Sequence, residues 1–217
     1  MSAQRIDLSR YPRRSHFEYF RSMAYPYVGL TVQADVTELR RAAAARKGSF
    51  FLACLYCAAR AANGVPELRQ RIVDGEIFQY DHCDTSHTVA LPDGTYCYCR
   101  LDCRTDFDSF LSRGRAAQEA AMQTHGIDDA GDETELFFVS CLPWVTYTAM
   151  VQPVPCPADS NPRITFGRFR EENGKSLMPL SLLAHHGLVD GLHMARFFEG
   201  FQEEIRRLRP QGTSDQI

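Results

Sequence analysis

The sequence predicts an α/β fold, a two-layer sandwich in which helices cover a mixed β-sheet. Helix-like and strand-like segments interleave along the 217 residues, and no repeat, low-complexity tract or Gly/Ser-rich linker divides them. Apolar residues make up 44% of the chain, which is enough for one sizeable hydrophobic core. We therefore assign residues 1–217 to a single domain and expect 209–217 to form a frayed tail.

Two helices are predicted in the first third of the chain. The segment Ala34–Arg46 is helix-like, and Asp35 and Thr37 are its expected capping residues. The segment Ser49–Asn63 is a more apolar helix, which the following glycine ends.

The middle of the chain predicts β-hairpins. Three short runs are β-like, and the turn pairs Asp74-Gly75 and Asp93-Gly94 stand beside them. The three runs are Glu76–Tyr80, His87–Leu91 and Thr95–Leu101.

One helix followed by strands is predicted next. The segment Phe107–Gln123 is helix-like. Leu136–Val151 is expected to form one or two strands, although it contains Pro143, and Arg163–Arg170 a further strand.

The last third of the chain has the clearest pattern, a strand, a turn and a helix. Leu177–Ala184 is apolar enough for a buried strand, and the turn His185–Gly191 follows it with the sequence HHGLVDG. This turn places two imidazoles at a strand end and a carboxylate at a helix N-cap, which is typical of a functional site. From Leu192 to Pro210 apolar residues recur every three or four positions, which predicts one helix face formed by Ala195, Phe198, Phe201, Ile205 and Leu208.

The two histidines of this turn cannot enter one pocket by the same route, because adjacent strand residues face opposite sides. An imidazole titrates near neutrality, so one of them is suited to general-base catalysis on a hydroxyl. Two other interpretations remain open. The histidines could be satisfied side chains beside an ordinary N-cap, or His186, Asp190 and His193 could bind a metal, which requires a continuous helix through Gly187 and Gly191.

Composition argues against several classes of partner. The net charge is -3, so we expect no nucleic-acid partner and no anionic membrane surface. The N-terminus lacks the apolar segment of a signal peptide, which predicts a cytoplasmic protein whose eight cysteines remain reduced. The pair Cys54-x-x-Cys57 lies in an apolar run, so buried thiols are favoured there over structural zinc.

Four segments carry a family resemblance. They are RRSHFE at 13–18, the pair PELR at 66–69 and DGE at 74–76, FFVSCLPW at 137–144, and HHGLVDGLH at 185–193. Together they resemble the trimeric chloramphenicol acetyltransferase family from about Ile6 to Leu208, and the last segment fits its HHxxxDGxH element. The HxxxDG core alone also occurs in other CoA-dependent acyltransferases, so the other three segments are needed to distinguish this family.

The resemblance implies a CoA-dependent acyltransferase-like fold and a ternary-complex mechanism with acetyl-CoA as co-substrate. His186 is the implied general base, which takes the proton of an acceptor hydroxyl as that oxygen attacks the thioester. Ser140 matches a serine that donates to the oxyanion, and Thr165 matches a threonine that assists it through water. Without the resemblance, Ser140 would be interpreted as a small strand residue.

The resemblance also implies structural and binding roles. Asp190 is expected to pair with Arg13 and so hold the active-site turn, since an arginine fork suits a carboxylate. Met150 stands where the family commonly has an aromatic residue. The remaining matches flank the two substrates, with Trp144 and Phe169 at the coenzyme A channel and Phe20, Tyr96 and Met150 at the acceptor.

By this resemblance the protein is expected to be a homotrimer that acetylates a small hydroxylated acceptor, chloramphenicol above all, at active sites between subunits. No metal cofactor is expected. The cysteine-rich segment Cys97–Cys103 departs from the family pattern. The alternatives are an acyltransferase for another small alcohol and a non-catalytic ligand-binding or metal-binding protein on the same scaffold.

Overall fold

The computed structural model describes residues 2–124 and 133–209, so most of the tail expected over 209–217 lies outside the described residues. These residues form ten strands and five α-helices. The strands are β1 (Ala3–Arg5), β2 (Tyr27–Asp35), β3 (Gln70–Val73), β4 (Glu76–Tyr80), β5 (Asp84–Ala90), β6 (Tyr96–Leu101), β7 (Leu136–Leu142), β8 (Arg163–Gly167), β9 (Arg170–Glu172) and β10 (Lys175–His185). The helices are α1 (Arg14–Phe20), α2 (Thr37–Ala45), α3 (Phe50–Asn63), α4 (Phe107–Thr124) and α5 (Gly191–Arg207).

A mixed sheet of seven strands forms the centre of the fold, which confirms the predicted fold class. Its order is β2-β10-β8-β7-β5-β6, and β9 pairs with the beginning of β10. The pairs β8–β7 and β7–β5 are parallel, whereas the remaining pairs are antiparallel. A smaller antiparallel sheet has the order β1-β4-β3.

Helices cover one face of the large sheet. The Phe51 ring of α3 packs edge-on against Phe166 of β8, with ring centroids 6.2 Å apart. Leu180 pairs with Phe166 and therefore faces the same side, where it is fully buried. Thr165 and Ser181 alternate with these residues and so face the side away from α3.

The predicted helix face of α5 is largely correct. Its buried apolar residues are Met194, Phe197, Phe201 and Ile205, whereas Ala195 is exposed. Phe201 and Ile205 are buried as predicted, and Phe198 and Leu208 are partly buried against the core. The predicted helix and four of the five residues of its face are therefore confirmed, with Ala195 as the exception, and Met194 and Phe197 complete the buried face.

The helix expected to begin at Ala34 begins instead at Thr37. Ala34 and Asp35 are the last residues of β2, whose nine residues all pair with β10. This long-range pairing overrides the helical preference of the local sequence. Asp35 still supports the start of α2, because its Oδ1 accepts hydrogen bonds from the Thr37 amide at 3.1 Å and hydroxyl at 2.6 Å.

The strands expected at Leu136–Val151 and Arg163–Arg170 are both shorter than predicted. β7 ends at Leu142, because Pro143 cannot donate to the ladder. β8 ends at Gly167, and the chain pairs again only from Arg170 onward in β9.

The predicted hairpins are present. Asp74 and Gly75 form a two-residue turn between β3 and β4, with positive φ angles of 51° and 79°. β5 and β6 form the second hairpin, with Gly94 at a φ angle of 87° in its connection. β1, β2, β3 and α1 were not predicted.

The eight cysteines are free thiols, and six of them are buried. Cys54 and Cys57 lie on α3 among the core residues, where burial raises the pKa of both thiols. Within the described residues no helix has both the length and the apolar character needed to cross a membrane.

Candidate active site

The HHGLVDG turn joins the buried strand β10 to α5. Asp190 is the N-cap of α5, and its Oδ1 accepts a hydrogen bond of 3.0 Å from the Leu192 amide. The Asp190 amide in turn donates to Nδ1 of His193 at 3.1 Å, which completes a capping box. Because α5 begins at Gly191, His186 does not share a helix with these two residues, so the continuous helix required by the metal interpretation is absent.

One ring nitrogen of His186 is positioned to act as a base. Its Nδ1 lies 2.8 Å from the carbonyl oxygen of Val189. A carbonyl only accepts hydrogen bonds, so Nδ1 carries a proton, and in the neutral imidazole Nε2 carries the lone pair. The half-buried imidazole stacks on Phe20, with ring centroids 3.8 Å apart and planes inclined by 23°. The turn and α1 together fix the direction in which Nε2 points.

His185 has a different environment from its neighbour. Its side chain is buried, and its Nδ1 accepts a hydrogen bond of 3.1 Å from the Gly187 amide. Burial lowers the pKa of His185 to about 4, so this imidazole is neutral near pH 7. His185 therefore supports the turn from inside the protein.

Arg13 connects α1 to the same turn. Its guanidinium pairs with the carboxylate of Asp190, and Nη2 donates to the carbonyl oxygen of His186 at 3.2 Å. Burial opposes ionisation of Asp190, but the positive charge of Arg13 and the surrounding hydrogen bonds outweigh it and lower the pKa of the carboxyl. One guanidinium thus holds both the carboxylate and the backbone of the turn.

Hydroxyl side chains form a row across four strands on the face away from α3. Ser140 of β7 lies beside Thr165, Thr165 beside Ser181, and Ser181 beside Thr31 of β2. The Thr31 and Ser181 hydroxyls are 2.8 Å apart. Thr165 is fully buried, and its Oγ1 has no hydrogen-bond partner within the described residues. Such an orphaned hydroxyl is suited to binding a water or a ligand atom.

Tyr147 covers this row and was missed by the sequence analysis. Its hydroxyl donates to the carbonyl oxygen of Thr165 at 3.0 Å and accepts a hydrogen bond from Ser181 at 3.1 Å. A Cβ at Gly167 would lie 2.7 Å from the Tyr147 ring and 2.5 Å from Pro179, so a glycine is required there. Only the fold brings these residues together.

The residues expected to bind the substrates lie in several parts of the chain. Trp144 follows β7 and is 70% exposed. Phe169 is half-buried, and the guanidinium carbon of Arg40 lies 3.9 Å from the centroid of its ring. Met150 is half-buried in the segment after β7, and Tyr96 is exposed at the start of the edge strand β6. Phe20, in contrast, lies directly on His186.

The register separates Ser140 from the HHGLVDG turn within one chain. Ser140 lies two strands away from Ser181, and His185 follows Ser181 four residues later on β10. With ~3.3 Å per residue and ~4.8 Å per strand, the Ser140 and His185 backbones are ~16 Å apart. Within one chain, Ser140 and the HHGLVDG turn thus lie in separate parts of the sheet.

The fold of this chain is that of acetyltransferases of known structure. The structure matches a dihydrolipoamide acetyltransferase of Azotobacter vinelandii with a TM-score of 0.67 and 17% identity, over 89% of this chain and 88% of that one. It matches a solved chloramphenicol acetyltransferase with a TM-score of 0.84 and 27% identity, over 94% of this chain and all of that one.

The chain belongs to the chloramphenicol acetyltransferase family, whose model matches residues 1–202. Chloramphenicol acetyltransferase 2 of Escherichia coli is 31% identical over 93% of this chain and 96% of its own. The chloramphenicol acetyltransferase of Clostridium perfringens is 30% identical over 94% of this chain and 99% of its own. The resemblance found in the four sequence segments is thereby confirmed.

Proposed function

We propose that this protein is an acetyl-CoA-dependent O-acetyltransferase that acetylates a hydroxyl of chloramphenicol. The observation that carries the proposal is the His186 imidazole, whose Nδ1–H is held by Val189 so that Nε2 is free to accept a proton. Family membership supports the acceptor and the acetyl donor. The reaction is placed in the cytoplasm, a reducing compartment in which free thiols persist.

His186 acts as the general base in this proposal. Its Nε2 takes the proton of the acceptor hydroxyl while that oxygen attacks the carbonyl carbon of the acetyl thioester. The resulting oxyanion accepts a hydrogen bond from the Ser140 hydroxyl, and Thr165 supports it through a bound water. When the tetrahedral intermediate collapses, the C–S bond breaks and the departing thiolate receives the proton from the imidazolium. No acyl-enzyme forms, and the step uses no metal.

The active site is proposed to lie between the subunits of a homotrimer. The ~16 Å between the Ser140 and His185 backbones supports this arrangement, because the two side chains start from distant parts of the sheet within one chain. A ring of three subunits provides three equivalent sites of this kind. In each site one subunit supplies Arg13, Asp190 and the base, and its neighbour supplies the hydroxyl row.

The substrate-binding residues are proposed from the family match. Trp144 and Phe169 line the coenzyme A channel, where Phe169 already stacks on a guanidinium. Phe20, Tyr96 and Met150 surround the acceptor. Tyr96 lies four strands from β10 in the same chain, so it can join Phe20 at one acceptor only if they come from different subunits.

Thiol release from acetyl-CoA, measured with and without chloramphenicol, tests the proposed function. The expected result is stoichiometric release of free coenzyme A that depends on chloramphenicol, together with acetylated chloramphenicol detected by mass spectrometry. Thiol release with other small alcohols but not with chloramphenicol would select the first alternative. The absence of release with any alcohol would favour a non-catalytic ligand-binding or metal-binding protein.

The contact between Arg13 and Asp190 gives a prediction for the turn. Arg13→Val and Asp190→Asn are each expected to lower activity and thermal stability, because each removes the ion pair that holds the turn. The double mutant should fall well short of the sum, with a coupling energy of ~1 kcal/mol. This value is modest because the Asp190 side chain is 35% exposed and partly screened by water.

A double-mutant cycle on kcat and on thermal unfolding measures this coupling. Arg14→Val is the matched control, because Arg14 follows Arg13 in the chain and pairs with Glu18 on the exposed side of α1. Full additivity of the Arg13 and Asp190 losses would show that the pair does not orient the turn.

Tyr147→Phe is expected to lower kcat by ~10-fold and stability by ~1 kcal/mol, since removal of this partly buried hydroxyl breaks two hydrogen bonds. The KM for acetyl-CoA should change little, because the hydroxyl positions Thr165 through its backbone carbonyl. Steady-state kinetics and thermal unfolding measure both effects, with the exposed Tyr19→Phe as control. An unchanged kcat would remove Tyr147 from the positioning residues.

A further inference from the structure

A second group of chemically active side chains lies at the open end of the β5–β6 hairpin, outside the site described above. His82 and Asp84 stand where β5 begins, and Asp102 follows the last residue of β6. Because Thr85 pairs with Leu101, the two carboxylates flank the same end of the hairpin. Neither the acyltransfer chemistry nor the four family segments include any of these three residues.

The three side chains converge to the spacing of metal ligands. The Nε2 atom of His82 lies 3.3 Å from Oδ1 of Asp84 and 3.7 Å from Oδ1 of Asp102. One ligand atom from each of the three residues lies within 4.8 Å of the other two. A tetrahedral ion with bonds of ~2.0 Å holds its ligand atoms ~3.3 Å apart. Small side-chain rotations therefore bring all three onto one ion.

One carboxylate oxygen of Asp84 lacks a hydrogen-bond donor, and a bound ion would satisfy it. This oxygen, Oδ1, is buried and accepts no hydrogen bond within the described residues. A buried carboxylate oxygen without a partner is costly, and a divalent cation removes that cost. The three side chains are only 15–24% exposed, so solvent screens them weakly.

Asp102 is held in place from outside the cluster. Its Oδ1 accepts hydrogen bonds of 2.9 Å from both the amide and the guanidinium of Arg104. Hydrogen bonds of this kind orient metal-ligating carboxylates. The Sγ atom of Cys103 lies 3.7 Å from Nε2 of His82. The same sulfur accepts a hydrogen bond of 3.6 Å from the side-chain amide of Asn63 on the core side.

We propose that His82, Asp84 and Asp102 form a binding site for one zinc ion, with water in the fourth position. An imidazole with two carboxylates suits zinc, whereas calcium and magnesium select oxygen ligands alone. The ion bridges the beginning of β5 and the end of β6, so it stabilises the open end of this hairpin. The site is independent of the acetyl transfer reaction.

Zinc binding to the chelator-stripped full chain tests the proposal. We expect one equivalent of zinc to bind, measured by competition with a chromogenic chelator, and to raise the unfolding temperature. Asp84→Asn and His82→Gln should each weaken this binding by at least ~10-fold. His16→Gln, which removes an exposed histidine outside the cluster, should bind like the wild type. Acetyl transfer by Asp84→Asn should be unchanged, which shows that this variant is folded.

Three results would overturn the zinc site. The first is the absence of saturable binding at one equivalent, as expected if a protonated His82 simply bridges the two carboxylates. The second is equal zinc affinity in the wild type, Asp84→Asn and His82→Gln. The third is a thiolate-to-cobalt charge-transfer band in the cobalt-substituted protein, which would place a cysteine among the ligands.

Discussion

His186→Ala is expected to lower the rate of acetyl transfer by ~10³- to 10⁴-fold, the upper range for loss of a positioned general base. The alanine cannot accept the proton from the acceptor hydroxyl, so the attack on the thioester would create an unfavourable oxonium. The imidazole is half-buried and stacks on Phe20, so its removal leaves the core intact. The oligomer should therefore survive, as measured by native mass spectrometry beside the kinetic assay.

His185→Ala is the control for this prediction. His185 binds the Gly187 amide from the buried side of the turn, so its loss should reduce stability and cost less activity than the loss of His186. A His186→Ala enzyme with near-normal turnover would end the general-base assignment.

Ser140→Ala is expected to lower kcat by ~100-fold or more, the typical cost of losing one oxyanion donor. The hydroxyl bonds more strongly to the oxyanion than to the ground-state carbonyl, so the affinity for acetyl-CoA should change little. Steady-state kinetics with both substrates varied separate the two effects.

Thr165→Val gives the comparison for Ser140. The side chain of Thr165 is buried and is proposed to act through water, so its loss should reduce kcat by less than the loss of Ser140. A Ser140→Ala effect confined to the KM for acetyl-CoA would move Ser140 from catalysis to substrate binding.

The elements predicted best from the sequence are those whose structure depends on local patterns. The strand, turn and helix around 177–207 were predicted because a buried strand and an amphipathic helix differ in period. The hairpin turns were predicted because Asp-Gly pairs are typical of tight turns, and positive φ angles are present at Asp74, Gly75 and Gly94. In contrast, β2 depends on nine residue pairs with β10, about 150 residues away, and no local pattern identifies that partner.

The same difference between local patterns and long-range pairing applies to the candidate active site. The HHGLVDG turn is one continuous segment, so its histidines and Asp190 could be recognised together. The hydroxyl row forms only when β7, β8, β10 and β2 align in register, and Tyr147 reaches it from an irregular segment. The sequence identified Ser140 and Thr165 through the family resemblance alone. The sequence contains no signal that relates Tyr147 or Ser181 to them.

His186 of one subunit and Ser140 of another are proposed to act on the same acetyl group. Mixed oligomers of His186→Ala and Ser140→Ala subunits, formed by co-refolding and verified by native mass spectrometry, test this proposal directly. In a ring with equal mixing, each site has both intact groups with a probability of one half times one half, so about a quarter of the wild-type activity should return. Activity no greater than that of the two parent variants, in a sample that contains mixed oligomers, would contradict the claim.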